Sequence, residues 1–199
     1  MLNKETETYC PQSRTDWRQW LEKNHQSKQS VWLVYYTKKS NLPSISWSEA
    51  VDEALCFGWI DSTKKTIDDL SFMQFFSKRK PKSNWSRINK EKVQQLIENG
   101  RMTKAGYESV ETAKQNGSWT TLDEVEELII PNDLEKAFSK HKGSKDYFLR
   151  LSKSVRKMML SWIVLAQRQE TRQKRIDEIV ENSARQRTPK QFVRTKNGL

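Results

Sequence analysis

The sequence predicts an α+β fold: a small three-stranded antiparallel sheet in the N-terminal half packed by helices, and a mostly helical C-terminal half. Three observations predict it. Val31 to Tyr36 ("VWLVYY") is an unbroken apolar run, mostly β-branched and aromatic, without Gly or Pro. "WIDSTKKTID" and "LSFMQFFSKRK" read as two further short strands joined by a turn near Asp68–Asp69, a hairpin that Pro81 closes off. Beyond Pro81, apolar residues recur at helical rather than alternating spacing.

Element by element, residues 1–13 read as a flexible leader. "RTDWRQWLEKN" follows as a helix, with Thr15 as its cap and Trp17, Trp20 and Leu21 on one face. After the first strand and a turn at "SNLPS", "SWSEAVDEALCFG" carries a capping box from Ser46 to Glu49. Its core stripe is Val51, Ala54 and Leu55, and Gly58 is its stop. "SRINKEKVQQLIENG" turns Ile88, Val93, Leu96 and Ile97 inward, and "TKAGYESVETAKQNG" runs from the cap Thr103 to Asn116–Gly117. Capping boxes at Thr121–Glu124 and Asn132–Glu135 open two short helices, and "SKDYFLRLS" is a third. "SVRKMMLSWIVLAQRQ" shows a stripe of Val155, Met158, Met159, Trp162, Ile163 and Ala166 that reads as core. A polar break from Gln167 to Arg175 precedes a last helix on Ile176, Ile179 and Val180. The expected organisation is one domain over 14–184, sheet-containing to about residue 82 and helical from about 83, with a flexible basic tail at 185–199.

Composition narrows the function classes. A formal net charge of +11 favours an anionic ligand, an acidic protein partner or nucleic acid over neutral ligands. No run of eighteen apolar residues occurs, so no membrane insertion is expected, and the N-terminus has no secretion-signal pattern; the cytoplasm is the expected compartment. Cys10 and Cys56 are the only thiols, with Cys56 placed to be a buried structural residue, and His25 and His141 are the only histidines, both in polar surroundings. That set supports no metal site and no cofactor.

Several segments match the YdeI/OmpD-associated, or bacteriocin-protection, family. They are "WLVYYTKKS", "SWSEAVDEALCFGWIDS", "FSKRKPKSNWSRINKEKVQQLIENGRMTKAGYESVETAKQNGSW", "PNDLEKAF" and "LSWIVLAQRQETRQKRI", spread over residues 14 to 189. One departure is Gln169, where similar proteins often carry a proline. The resemblance implies an uncharacterised fold family linked by name to bacteriocin tolerance, hence to stress tolerance, and to an outer-membrane porin, with no agreed catalytic residues.

Two stretches compete as the site. In "ALCFGWIDSTKK", a strand over 58–65 puts Trp59, Asp61 and Thr63 on one face and turns Ile60 to the core. Asp61 then reads as an ion-pair partner of Arg79, Arg87 or Lys64 before it reads as a catalytic acid, because no second carboxylate or Ser–His pair stands beside it. In "KRKPKSNWSR", Arg79, Lys80 and Lys82 supply cations, Trp85 a stacking face, and Ser83 and Asn84 short polar groups ahead of a helix that begins near Arg87. That is a pattern for an anion at a helix N-terminus or for single-stranded nucleic acid, with Arg101 and Trp59 nearby. The competing reading is a capped helix with Trp85 packed and the lysines solvated. Thr171, Arg172 and Arg175 form a second basic cluster, with Thr171 as a helix cap and Glu170 paired to Lys174 as its plainer explanation. The sequence therefore favours a non-enzymatic binding protein with a basic anion-binding patch; a sequence-independent nucleic-acid binder, or a small-molecule enzyme using Asp61, stand as alternatives.

Overall fold

A computed structural model describes residues 7–193, so positions 1–6 of the expected leader and 194–199 of the expected tail lie outside the described residues. The chain forms two compact units that divide between Thr120 and Thr121.

The first unit contains β1 (Thr8–Tyr9), α1 (Arg14–Asn24), β2 (Ser30–Tyr36), α2 (Trp47–Cys56), β3 (Trp59–Thr66), β4 (Ser71–Lys78), α3 (Arg87–Glu98) and α4 (Lys104–Gln115). The α+β class holds, but the sheet is four-stranded and mixed, in the order β1-β2-β4-β3. β4 is central and antiparallel to both β2 and β3, while β1 runs parallel to β2 with Tyr9 opposite Leu33. The extra strand comes from the leader. Tyr9 stacks on Trp20 at 5.7 Å, and its hydroxyl donates to Asp16, so one aromatic in a polar stretch is enough to draw it onto the sheet.

β2 alternates as a strand with one core face must: Val31, Leu33 and Tyr35 are buried, whereas Trp32, Val34 and Tyr36 are half-buried on the other face. Trp17 lies in the core, stacked on Trp20 at 5.1 Å and edge-on to Phe76 at 5.6 Å, and its indole N–H donates to Ala50 O at 3.0 Å. Each such side chain contributes about 1.5–3 kcal/mol by leaving water. The cap of α1 is Ser13 rather than Thr15, its hydroxyl accepting from Asp16 N at 3.2 Å. The Ser46–Glu49 box of α2 forms as expected. In α3, Val93 and Leu96 are buried, but Ile88 is 63% exposed, since it sits in the first turn on the opposite side.

The second unit holds α5 (Asp123–Glu126), α6 (Asn132–Phe138), α7 (Ser144–Arg150), α8 (Lys153–Val164) and α9 (Gln169–Ala184). The N-caps of α5 and α6 are Leu122 and Pro131, not Thr121 and Asn132, and neither makes a side-chain cap bond. Leu134, Phe138, Phe148, Met159, Ile163, Ile176 and Ile179 make the core. Leu160 is buried and Met158 is 40% exposed, so the α8 stripe is rotated from the expected one. The expected break from Gln167 to Arg175 is not one over most of its length: α9 starts at Gln169 with Arg168 as its N-cap, so this polar run forms its first two turns. In the expected tail, a 3-10 turn at Lys190–Phe192 sets Phe192 edge-on to Trp162 at 5.5 Å.

Candidate functional site

Gly58 ends α2 at φ +70°, a backbone conformation that favours glycine, and a Cβ there would stand 3.0 Å from Ala105 O. This tight turn lets β3 start directly against α2, and Gly58 O accepts from Arg79 N at 2.9 Å where β4 ends. Arg79 is thereby held in the wall of a cleft of about 420 Å³ in the first unit, which Gly58, His25, Lys78, Glu108 and Ser109 also line.

The Arg79 guanidinium carbon lies 3.6 Å above the Trp85 ring, and Nη1 donates to Asn84 O at 2.9 Å and to Ser83 Oγ at 3.3 Å. Nε and Nη2 are buried and meet no acceptor among the described residues, and no carboxylate pairs with the group. Burial pushes its pKa down to about 10, with the charge of Asp61 acting in the opposite direction. On the same cleft, Lys78 Nζ donates to Gln26 O at 2.7 Å. His25 Nδ1 lies 2.8 Å from Leu21 O; a carbonyl only accepts, so Nδ1 is the donor of this bond.

The residues of "KRKPKSNWSR" separate. Lys80 and Lys82 are exposed, and Ser86 caps α3 through Asn89 N at 3.3 Å, with Arg87 exposed in its first turn. Trp85 is only 1% exposed and packs 4.9 Å from Trp119, so it offers no face for a nucleobase. The stacking platform expected for single-stranded nucleic acid is thus overturned: Trp85 uses one ring face on Arg79, and the core takes the rest. Trp59 likewise faces the core and is fully buried, while Ile60 is only partly so, the reverse of the expected alternation. Its indole N–H donates to His25 O at 3.4 Å.

Asp61 pairs with neither Arg79 nor Lys64. Its Oδ2 accepts from Trp47 Nε1 at 2.9 Å and Gln74 Nε2 at 3.1 Å. Arg101 goes elsewhere, to the fully buried Glu53, which accepts from Arg14 Nε at 2.5 Å, Arg18 Nη1 at 2.8 Å and Arg101 Nη2 at 2.5 Å. Burial pushes the Glu53 carboxyl up, but hydrogen bonds from Arg14, Arg18 and Arg101 outweigh it and hold it below its ordinary value. This node, which joins α1, α2 and the loop after α3, escaped sequence reading. Its signal was an acid beside Ala54 on the apolar stripe of α2.

Cys56, next to it, is buried, and its thiol is pushed up to about 11 by burial and then by Glu53, which makes it inert at neutral pH. The second basic cluster is structural as well. Thr171 lies inside α9, and Arg172 binds Asp133 through Nε at 2.6 Å and Nη2 at 2.9 Å. Arg175 donates to Trp162 O and lies 5.0 Å over that ring. Glu170 and Lys174 pair at 2.8 Å. Among the described residues, no group of His, Cys, Asp and Glu side chains is placed to hold a metal ion, and no helix is long and apolar enough to cross a membrane.

Residues 9–109, half of the chain, match the family described as Domain of unknown function (DUF8412). The chain belongs to that family. Residues 127–186, in the second unit, match the family described as "Bacteriocin-protection, YdeI or OmpD-Associated", which bears out the resemblance read from the sequence. "ALCFGWID" and "KSNWSRIN" lie within the DUF8412 match, as do Arg79 and its cleft, whereas Arg172 and Arg175 lie in the YdeI/OmpD-associated region. No curated protein and no solved structure matched the chain.

Proposed function

We propose that this protein is a non-enzymatic binding protein for a small anion, held in the cleft beside Arg79. One observation carries the reading: two buried N–H donors of the Arg79 guanidinium meet no acceptor among the described residues, next to a cleft of about 420 Å³, and Asp61 acts on the charge only from beyond ion-pair distance. Keeping such a charge uncompensated costs on the order of several kcal/mol, which an anion in the cleft offsets. Lys78 and the Ser109 hydroxyl supply further donors on the same walls, and Glu108 works against highly charged ligands. The volume suits a compact carboxylate or phosphate rather than a polymer. In this reading the anion patch inferred from the sequence contracts to Arg79, to which the exposed Lys80 and Lys82 add long-range field. We read such binding as serving the bacteriocin protection named in the description of the second match, and we place that role in the cytoplasm.

Calorimetric titration with inorganic phosphate and with acetate, at low ionic strength, tests the proposal. Wild type is expected to bind one of them and Arg79→Met to lose the heat. Because Arg79 also packs on Trp85, Ser109→Trp, which fills the cleft from α4, is the second variant and is expected to lose it too. No heat from wild type with either anion, or undiminished binding by a folded Arg79→Met protein, refutes the assignment.

A further inference from the structure

The first unit has a second cleft, of about 350 Å³, lined by Trp47, Asp61, Lys64, Phe72 and Gln74. Its chemistry is opposite to that of the Arg79 cleft. Asp61 has both of its protein donors, the Trp47 indole and the Gln74 amide, on one oxygen, Oδ2. Both donors are neutral, and no cation lies within ion-pair distance of this carboxylate among the described residues, in a protein of net charge +11. The Gln74 amide is itself anchored by a 2.8 Å bond to Ser62 O, so the carboxylate is fixed and Oδ1 is left for a ligand.

Aromatic faces complete the cleft. Trp47, at the first turn of α2, is 48% exposed, and Phe72 is backed by Tyr35, stacked 4.9 Å behind it at an interplanar angle of 4°. One of these faces already holds a cation: Lys64 Nζ lies 4.2 Å from the Phe72 ring centroid. A lysine three residues from an aspartate in the same cleft thus rests on a ring rather than on the carboxylate. Lys64 follows the register shift between Asp61 and Lys64 in β3 and belongs to the exposed part of that strand, so it is free to swing outward.

We infer that this cleft is a binding site for an alkylammonium group, with Asp61 as counter-charge, Trp47 and Phe72 as π walls, and Lys64 as an internal occupant that a ligand displaces. A fixed carboxylate flanked by ring faces is how organic cations are recognised in water. The ligand's ammonium takes the seat over Phe72, a hydrogen or methyl on nitrogen faces Asp61 Oδ1, and Lys64 moves into solvent. The site is separate from the Arg79 cleft and stands whether or not that one binds an anion.

The test is an NMR titration of the ¹⁵N-labelled full chain, following the Trp47 indole N–H peak, identified by its loss in Trp47→Phe. The probes are choline, for a small quaternary ammonium ion, and Nα-acetyl-lysine methylamide, for a lysine of a peptide. Saturable movement of that peak with either probe is expected, and the tighter probe shows which source the site prefers. Asp61→Asn, which keeps the indole bond, should weaken binding by about tenfold or more, and Lys64→Ala, which removes the competing ammonium, should tighten it severalfold. No movement in wild type and in Lys64→Ala with either probe overturns the proposal, as does equal binding by Asp61→Asn.

Discussion

Replacing Glu53 by glutamine removes one charge and nothing else of consequence in shape. Glu53 is fully buried and accepts from Arg14, Arg18 and Arg101 at 2.5, 2.8 and 2.5 Å. Breaking a buried ion pair by removing one partner costs about 3–5 kcal/mol. The three arginines are partly exposed and recover water once released, which places this case near the lower figure, about 3 kcal/mol. In a unit of this size that corresponds to a melting temperature lower by about 10 °C. Seven of the eight tryptophans lie before Thr121, so thermal unfolding followed by tryptophan fluorescence reports mainly the first unit. The pH dependence adds a second check. The native Glu53 carboxyl titrates below its ordinary value of 4.5, so its contribution is complete above that pH and is lost as pH falls through the lower native value. Protonated Glu53 resembles Gln, and the two melting temperatures should converge on acidification. A difference under about 2 °C at neutral pH would refute the reasoning and place these contacts with ordinary surface ion pairs.

Two further substitutions probe how the units are held. Gly106→Ala puts a Cβ 2.3 Å from Cys56 O, in backbone that cannot give way cheaply, so α4 must move off α2; urea unfolding should show a loss of about 1–3 kcal/mol or more, and a neutral result would mean that α4 tolerates a shift. Asp133 is held below its ordinary value chiefly by the hydrogen bond from Arg172. Arg172→Met should let that carboxyl titrate nearer its ordinary value by ¹³C NMR and reduce the stability of the second unit by about 1–3 kcal/mol; an unchanged titration would show that the pair carries no coupling.

Local chemistry made much of the fold legible in the amino-acid order. The Val31–Tyr36 run, the Ser46–Glu49 capping box, the Asp68–Asp69 hairpin and the stop at Gly58 depend on residues near one another in the chain, and each is where the pattern places it. The YdeI/OmpD-associated resemblance also followed from linear motifs and is borne out over residues 127–186, whereas the DUF8412 family of residues 9–109 was not read from them. What sequence determined about function was more limited: a strongly basic protein, and a short list of cations to inspect.

Tertiary structure decided which of those residues remain available. Arg79, Trp85, Arg101, Arg172 and Arg175 look alike as neighbours in a basic, aromatic text, but burial and partners separate them: Arg101 and Arg172 pair with Glu53 and Asp133, Trp85 is absorbed by the core, and Arg79 has two unmatched donors, no carboxylate within ion-pair distance and a cleft beside it. The fourth strand, the place of Ile88 and the partners of Asp61 were decided at the same level. Their causes lie in contacts between residues far apart in the chain, Tyr9 with Trp20 or Asp61 with Trp47 and Gln74, and solvation and charge pairing depend on what surrounds a group in space.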